Sequence, residues 1–256
     1  MDLPDPLQVA ELTKIYGSRP GIENLSFTVG AGQITGLLGP NGSGKSTTIH
    51  CITGFIKASS GRILLGGAAH HSVEAKDRFG FFPDDLPMPD SLTGSETIAF
   101  YRRLRPLFSD ATADGLVELL GLSAHLGKYV GEYSHGMKRK LQLVVALAHR
   151  PELLILDEPM RGLDPEAGLL MNALLRTFTE EGGAVLLATH DLTAAERVCG
   201  SVVILAQGRM VAAGAPGDLM ARHGTASLEE LFVHATGLHT AMLGKELELQ
   251  RLLQLP

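Results

Sequence analysis

Apolar and polar residues alternate along the first thirty positions in two pieces, Leu7 to Tyr16 and Leu25 to Val29, with the breakers Gly17, Ser18, Arg19, Pro20 and Gly21 between them. Period-two alternation gathers the apolar side chains on one face of an extended strand, which predicts an antiparallel pair buried on one side. Beyond Gly30 and Gly32 the pattern becomes short apolar runs: Ile34 to Leu38, Leu153 to Leu156, Ala184 to Ala188 and Val202 to Ala206. Each is followed by a turn and a helical stretch. Uninterrupted apolar runs of strand length are buried on both faces, so they predict an α/β core, a mostly parallel sheet with crossover helices. More than a hundred residues separate the first two runs, and helix signals fill their middle. Thr93 with Glu96 forms a capping box for Thr93 to Arg105, Ser109 caps a stretch ending at Gly121, and Gly136 to Arg150 makes a third helix. The expectation is one domain over 1–236 with a helical insert at roughly 84–150, closed by a helix at Ser227 to Ala235. Residues 237–256, with leucines at 243, 247, 249, 252 and 253, predict a C-terminal helical extension packed on its own domain or on a like chain.

Composition narrows the class. Of 256 residues, 45% are apolar and 20% charged, which excludes disordered and fibrous readings. Lys and Arg total 22 against 28 Asp and Glu, and the resulting formal charge of −6 disfavours nucleic acid and anionic lipid as partners. The longest apolar stretches, Leu141 to Ala148 and Leu153 to Leu156, are too short to cross a bilayer, and the start MDLPDPLQ lacks the features of a secretory signal. A cytoplasmic chain is expected. Cys51 and Cys199 have no partner at disulfide or zinc spacing and are expected to be buried, inert thiols.

The chemistry concentrates after the first core strand. Gly39, Pro40, Asn41, Gly42, Ser43, Gly44, Lys45, Ser46 and Thr47 carry the spacing GxxxxGKS between an apolar strand and a helical stretch at Thr47 to Thr53. Glycines let the backbone curl until its N–H groups converge on anionic oxygens. The following helix presents its positive end, Lys45 reaches the β and γ phosphates, and Ser46 offers its hydroxyl to Mg²⁺. The run Leu153 to Leu156 ends in Asp157 and Glu158, at the sheet edge where such folds bind ligands. Asp157 suits the metal and Glu158 suits the activation of an attacking water, although a strand-terminal acidic pair can also simply cap a turn.

Tyr133-Ser134-His135-Gly136-Met137, twenty positions before Leu153, resembles the LSGGQ signature of the nucleotide-binding subunits of ATP-binding-cassette transporters. The resemblance runs in order over about residues 7–236. It implies a RecA-like P-loop core with an N-terminal antiparallel β subdomain and an inserted helical subdomain, using ATP and Mg²⁺. It implies that Ser134, His135, Gly136 and Met137 face an ATP held by an opposite protomer, that Asp164 belongs to the D-loop of Gly162 to Pro165, and that His190 is the switch histidine beside Glu158. Asp164 before Pro165 also reads as an ordinary helix N-cap, and His190 as an ordinary strand-end histidine. Tyr16 resembles the aromatic that stacks on adenine; a half-buried strand tyrosine is the plainer reading.

Two positions depart from the family pattern. Asp84 stands where a glutamine is usual after Phe-Gly-Tyr-x-Pro, adding negative charge near the metal, as a candidate ligand, in place of an amide donor. His135 replaces the first signature glycine, which matters if that backbone needs a left-handed conformation or a close approach to phosphate. Both are expected to slow turnover without abolishing it. The resemblance implies an ATPase that dimerises around two ATP, with an identical or a different second chain, and drives a separate membrane permease docked near Asp84 to Arg105. The leading Tyr and closing Met of the signature lean towards export. The alternatives are a soluble cassette ATPase of the translation or repair class and a P-loop small-molecule kinase. The distance from Lys45 to Ser134, 134 − 45 = 89 positions without heptads, disfavours a coiled-coil repair protein.

Overall fold

The computed structural model describes residues 4–84, 88–161, 165–237 and 252–253. Strands β1 (Leu7–Tyr16) and β2 (Arg19–Val29) form the expected hairpin. β2, however, starts six residues earlier than Leu25, so only Gly17 and Ser18 remain as the turn. Pro20 is tolerated because β2 is the edge strand of its sheet, where a missing N–H breaks no ladder. Register shifts with positive φ at Glu11 and Asn24 bend the pair.

Next come β3 (Ile34–Leu38) and α1 (Lys45–Ile52), then β4 (Ser60–Leu65) and the short β5 (Ala68–Ala69), which complete a four-stranded antiparallel sheet in the order β2-β1-β4-β5. After α2 (Val73–Asp77) and β6 (Phe79–Phe82) the chain enters the helical stretch α3 (Gly94–Leu104), α4 (Asp110–Leu119) and α5 (His135–Leu147). The caps of α3 and α4 are those expected, whereas α5 starts one residue before Gly136 on an unforeseen cap, Ser134. Thr93 and Glu96 bond reciprocally, and the hydroxyls of Ser109 and Ser134 accept N–H groups of α4 and α5. The remainder alternates: β7 (Leu153–Asp157), α6 (Pro165–Glu180), β8 (Ala184–Thr189), α7 (Leu192–Val198), β9 (Ser201–Ala206), β10 (Arg209–Gly214), α8 (Pro216–His223) and α9 (Leu228–Thr236).

The core sheet has six strands in the order β10-β9-β3-β8-β7-β6, parallel except for β10. Four strands were expected from the apolar runs. β10 is largely exposed, and β6 is four residues long with Gly80 inside it, which hid both. Gly80 is required there, because a Cβ would overlap the carbonyl of Ala146 on α5. Strand periodicity divides each run between two cores. Leu154, Leu156, Val185, Leu187, Val202 and Ile204 face the helices α4 to α9, while Leu153, Ile155, Leu186, Val203 and Leu205 face α1 and the N-terminal sheet. Cys51 and Cys199 are buried free thiols, and burial pushes that of Cys199 up to about 12. Parallel pairing then does what the site needs. Leu38 lies beside Thr189 and Asp157 beside Ala188, so the ends of β3, β7 and β8 open on one edge.

Of the other expectations, Asp164 and its D-loop lie outside the described residues, as does nearly all of 237–256.

Candidate active site

The turn after β3 is held by its neighbours on all sides. Gly39 admits no side chain, since a Cβ would overlap the Ser43 hydroxyl and approach Leu205 O to 2.7 Å. Gly42 and Gly44 have φ of 79° and 109°, conformations that favour glycine. Gly44 also lies against β2, where a Cβ would sit 2.6 Å from Ile22 Cγ2 and 3.0 Å from Gly21 O. The N–H of Gly208, in the β9–β10 turn, donates to Ser43 O at 3.0 Å and fastens the loop from the other side.

Helix α1 opens on Gly44, which has no side chain to cap it and leaves the first-turn N–H groups for a ligand. By contrast α2, α3, α4, α5, α7 and α9 are each capped by their own Ser, Thr or Asp. Lys45 is buried, with Nζ donating to Gly39 O at 2.6 Å, so it spans the mouth of the loop. Burial lowers its pKa, an effect opposed by the nearby Glu158 and Asp157. Ser46 is exposed at the rim.

Across the edge, Asp157 is 8% exposed. Its pKa is raised to about 6, first by desolvation, then by the neighbouring charges of Asp84 and Glu158, against the opposing pull of Lys45 and Arg139. Three carboxylates thus crowd one end of the cradle. Glu158 has φ +47°, a backbone conformation that costs a non-glycine residue roughly 1–3 kcal/mol and survives only where the surroundings dictate it. Its N–H donates to Ala188 O at 2.9 Å and its carbonyl accepts from Arg139 Nη2 at 2.8 Å. The carboxylate is held as firmly. His190 Nδ1 lies 2.7 Å from Oε1, and Thr189 Oγ1 donates to Oε2 at 3.1 Å while accepting from the Asp191 N–H. His190 is mostly exposed, so its second ring nitrogen remains accessible to a ligand.

Ser134 Oγ accepts from the Met137 N–H at 3.3 Å, and the N-terminus of α5 is exposed at Ser134 and His135. His135 is the first helical residue and has no positive φ, so the conformational penalty considered for the lost glycine does not arise. A Cβ at Gly136 would meet nothing within 4 Å. Tyr133 is buried and donates to His125 O at 2.8 Å, bracing the turn before the helix. Asp84 does not stand as a bare charge: Arg161 Nη1 meets its Oδ2 at 2.6 Å. Tyr16, at the end of β1, is half-exposed, with Lys14 Nζ 5.1 Å from its ring centroid. Gly21 makes room for that ring, as a Cβ there would come within 2.8 Å of it.

Sequence reasoning missed Arg139, Arg161 and Thr189. Arg139 carried a faint signal, since it shares the helical stripe of Gln142, Leu143 and Ala146, which face inward. Arg161 and Thr189 carried none, because their partners are distant in sequence.

A glycine-rich loop with a buried lysine ahead of an uncapped helix, a buried aspartate and a glutamate paired with a histidine, on one edge of a parallel sheet, define a P-loop ATPase. Residues 22–161 match the family described as ABC transporter. The linearmycin resistance ATP-binding protein LnrL of Bacillus subtilis is 34% identical over 242 residues, covering 93% of this chain and 77% of the relative. A Nod factor export ATP-binding protein I of Burkholderia lata is 36% identical, covering 84% and 72%. A solved structure of the ATP binding subunit of an ABC transporter superposes with a TM-score of 0.85 at 33% identity, covering 92% of this chain and all of the other. The chain belongs to the ABC transporter family. It is an ATP-binding cassette, an ATPase coupled to transport.

Proposed function

We propose that this chain is the ATP-hydrolysing subunit of an exporter, in which two cassettes close head to tail around two ATP and thereby drive a membrane permease carried on a separate chain. The unit that does so is taken as residues 1–236, with the insert at 84–150. The names of the two relatives, one a resistance protein and one an export protein, support the direction of transport. Among the described residues no helix is long and apolar enough to cross a membrane, which fits a permease on another chain.

In this reading residues 39–47 hold the phosphates, and the uncapped start of α1 and Lys45 neutralise their charge. Tyr16 offers its ring to adenine. Mg²⁺ suits the donors present, because a hard cation takes hydroxyl and carboxylate oxygens and the crowded carboxylates around Asp157 call for positive charge. Ser46 and Asp157 would hold it, and it would supply charge neutralisation of the phosphates. Glu158 takes the proton of the attacking water, while His190 orients the Glu158 carboxylate and contacts the γ-phosphate. Ser134, His135, Gly136 and Met137 complete the site of the opposite cassette, with the positive end of α5 aimed at its phosphate. Among the described residues nothing demands a glycine at 136, as close approach by a partner's nucleotide would. Closure follows from differential binding: ATP stabilises the closed pair, the products do not, and the permease follows the shift.

The observation that carries this reading is the contact between Glu158 and His190 at the mouth of the phosphate cradle. The test is the light-scattering mass of Glu158→Gln protein with and without Mg·ATP. ATP-dependent doubling, with the wild type monomeric while turning over ATP, is the expected result. A monomer that binds ATP yet never doubles would refute self-pairing and leave a heterologous cassette or the permease as the closing partner.

A further inference from the structure

We infer that Arg139 is the positioning residue of the hydrolytic site, the side chain that, among the described residues, ties the signature helix to the backbone of Glu158. The inference rests on the reading of Glu158 as the general base. Arg139 lies in the second turn of α5, five residues after Ser134, and is 3% exposed. Its Nη1 donates to Pro83 O at 2.9 Å and to Asp84 O at 2.8 Å, its Nη2 donates to Glu158 O at 2.8 Å, and its Cζ stands 4.2 Å over the ring of Phe82. One planar group therefore gathers the carboxyl ends of β6 and β7, the two strands that deliver Asp84 and the acidic pair to the edge.

The geometry of Glu158 gives that gathering a purpose. Left-handed backbone at a non-glycine residue persists only when over-determined, and three bonds hold the Glu158 peptides: its N–H donates to Ala188 O on β8, and its carbonyl accepts from Arg139 at 2.8 Å and from the Arg161 N–H at 3.2 Å. Loss of the Arg139 bond leaves Glu158 O with only the longer, local bond from the Arg161 N–H and lets the backbone relax, which swings the carboxylate out of the bond with His190. A guanidinium can do this and an ammonium cannot, because its two terminal nitrogens reach three carbonyls at once, whereas a point charge reaches at most part of the set. Since α5 begins at Ser134, whatever displaces the N-terminus of α5 on pairing reaches the Glu158 carbonyl through two turns of helix and one side chain. The signature end and the base are thus coupled within a single chain, and Asp84, at the entrance to the insert, is held by the same group.

The test compares wild type, Arg139→Lys, Arg139→Gln and Glu158→Gln, each checked for folding by circular dichroism and thermal midpoint. ATP affinity is read with a fluorescent ATP analogue, and turnover by phosphate release. Arg139→Lys retains the charge and the stem and keeps the test usable if Arg139→Gln fails to fold. The expected result is an unchanged nucleotide dissociation constant and KM, within twofold, with kcat lowered at least tenfold in Arg139→Lys. In the Glu158→Gln background the same substitution should lower the residual rate less than twofold, because the base it positions is already gone. A merely structural arginine would instead shift the dissociation constant and lower both backgrounds alike. Wild-type kcat in a folded Arg139→Lys protein overturns the inference while leaving Glu158 as the base. Undiminished hydrolysis by Glu158→Gln would overturn the reading of Glu158 itself, whatever Arg139 does.

Discussion

The carboxylate of Asp84 meets the guanidinium of Arg161 at 2.6 Å, joining the end of β6 to the turn after Glu158. The side chains are 28% and 66% exposed, so the pair contributes no more than about 0.5–1 kcal/mol to stability. Its consequence is electrostatic. Asp84 is the largest charge opposing ionisation of Asp157, and Arg161 is positioned to draw it aside. Arg161→Ala should therefore lower ATP turnover about two- to fivefold in the Asp84 background, and by less than about twofold once Asp84→Gln is present. Asp84→Gln by itself should raise turnover, as relief of charge crowding demands. The check is steady-state ATPase activity of the four proteins of this cycle at saturating magnesium. Additive effects would mean that the two residues act independently.

The glycines of the cradle can be separated from ordinary glycines by their surroundings. Gly44 has φ +109° and no room for a Cβ beside Ile22 and Gly21. Gly115, exposed within α4, has nothing within 4 Å of the position its Cβ would take. Gly115→Ala should stabilise by about 0.5–1 kcal/mol through helix propensity. Gly44→Ala should destabilise by about 1–3 kcal/mol, a fall of roughly 2–10 °C in Tm for a domain of this size, and should weaken ATP binding as the loop shifts. Calorimetry of both variants with and without ATP measures each effect. Equal midpoints would show that the loop absorbs a methyl group without strain.

How far the molecule could be read from its sequence depends on where the information lies. β3, β7 and β8 were legible because burial on both faces writes an uninterrupted apolar run, and α3 and α4 because Thr93, Glu96 and Ser109 announce their starts. β6 was not, since a Phe-Gly-Phe-Phe strand is too short for a period and its glycine answers to a carbonyl on α5. In the site, Lys45, Asp157, Glu158 and His190 fell on one edge as their order along the chain implied. Arg139 escaped because its partners are the carbonyls of Pro83, Asp84 and Glu158, and a carbonyl leaves no trace in residue identity. Arg161 escaped because its partner lies 77 positions away. His135 was weighed as a strained substitution, yet strain belongs to dihedral angles, and α5 begins there in ordinary helical geometry.

His149 supplies a stability switch on the acid side. It is 2% exposed, and its Nε2 lies 3.0 Å from Phe79 O, the carbonyl at the start of β6. Desolvation is the first cause holding its pKa below 6.5 and the charge of Arg105 the second, against smaller opposing pulls from the hydrogen bond to the Phe79 backbone and from Asp77. The neutral ring is thus the form that the fold accepts. As pH falls through about 6.5 the unfolded chain takes up a proton that the folded chain refuses, so stability contributed by the neutral ring is full above that pH and is lost below it. Asp157, its pKa raised to about 6, gains stability over the same range, so the share of His149 is read as a difference between two proteins. Between pH 7.5 and 5 the urea midpoint of wild type should lose more, or gain less, than that of His149→Gln, which keeps a neutral donor for Phe79 O. Some slope should persist, because burial also lowers the pKa of His50 and His70. The same slope in His149→Gln as in wild type would mean that His149 takes up its proton as readily in the folded chain as in the unfolded one.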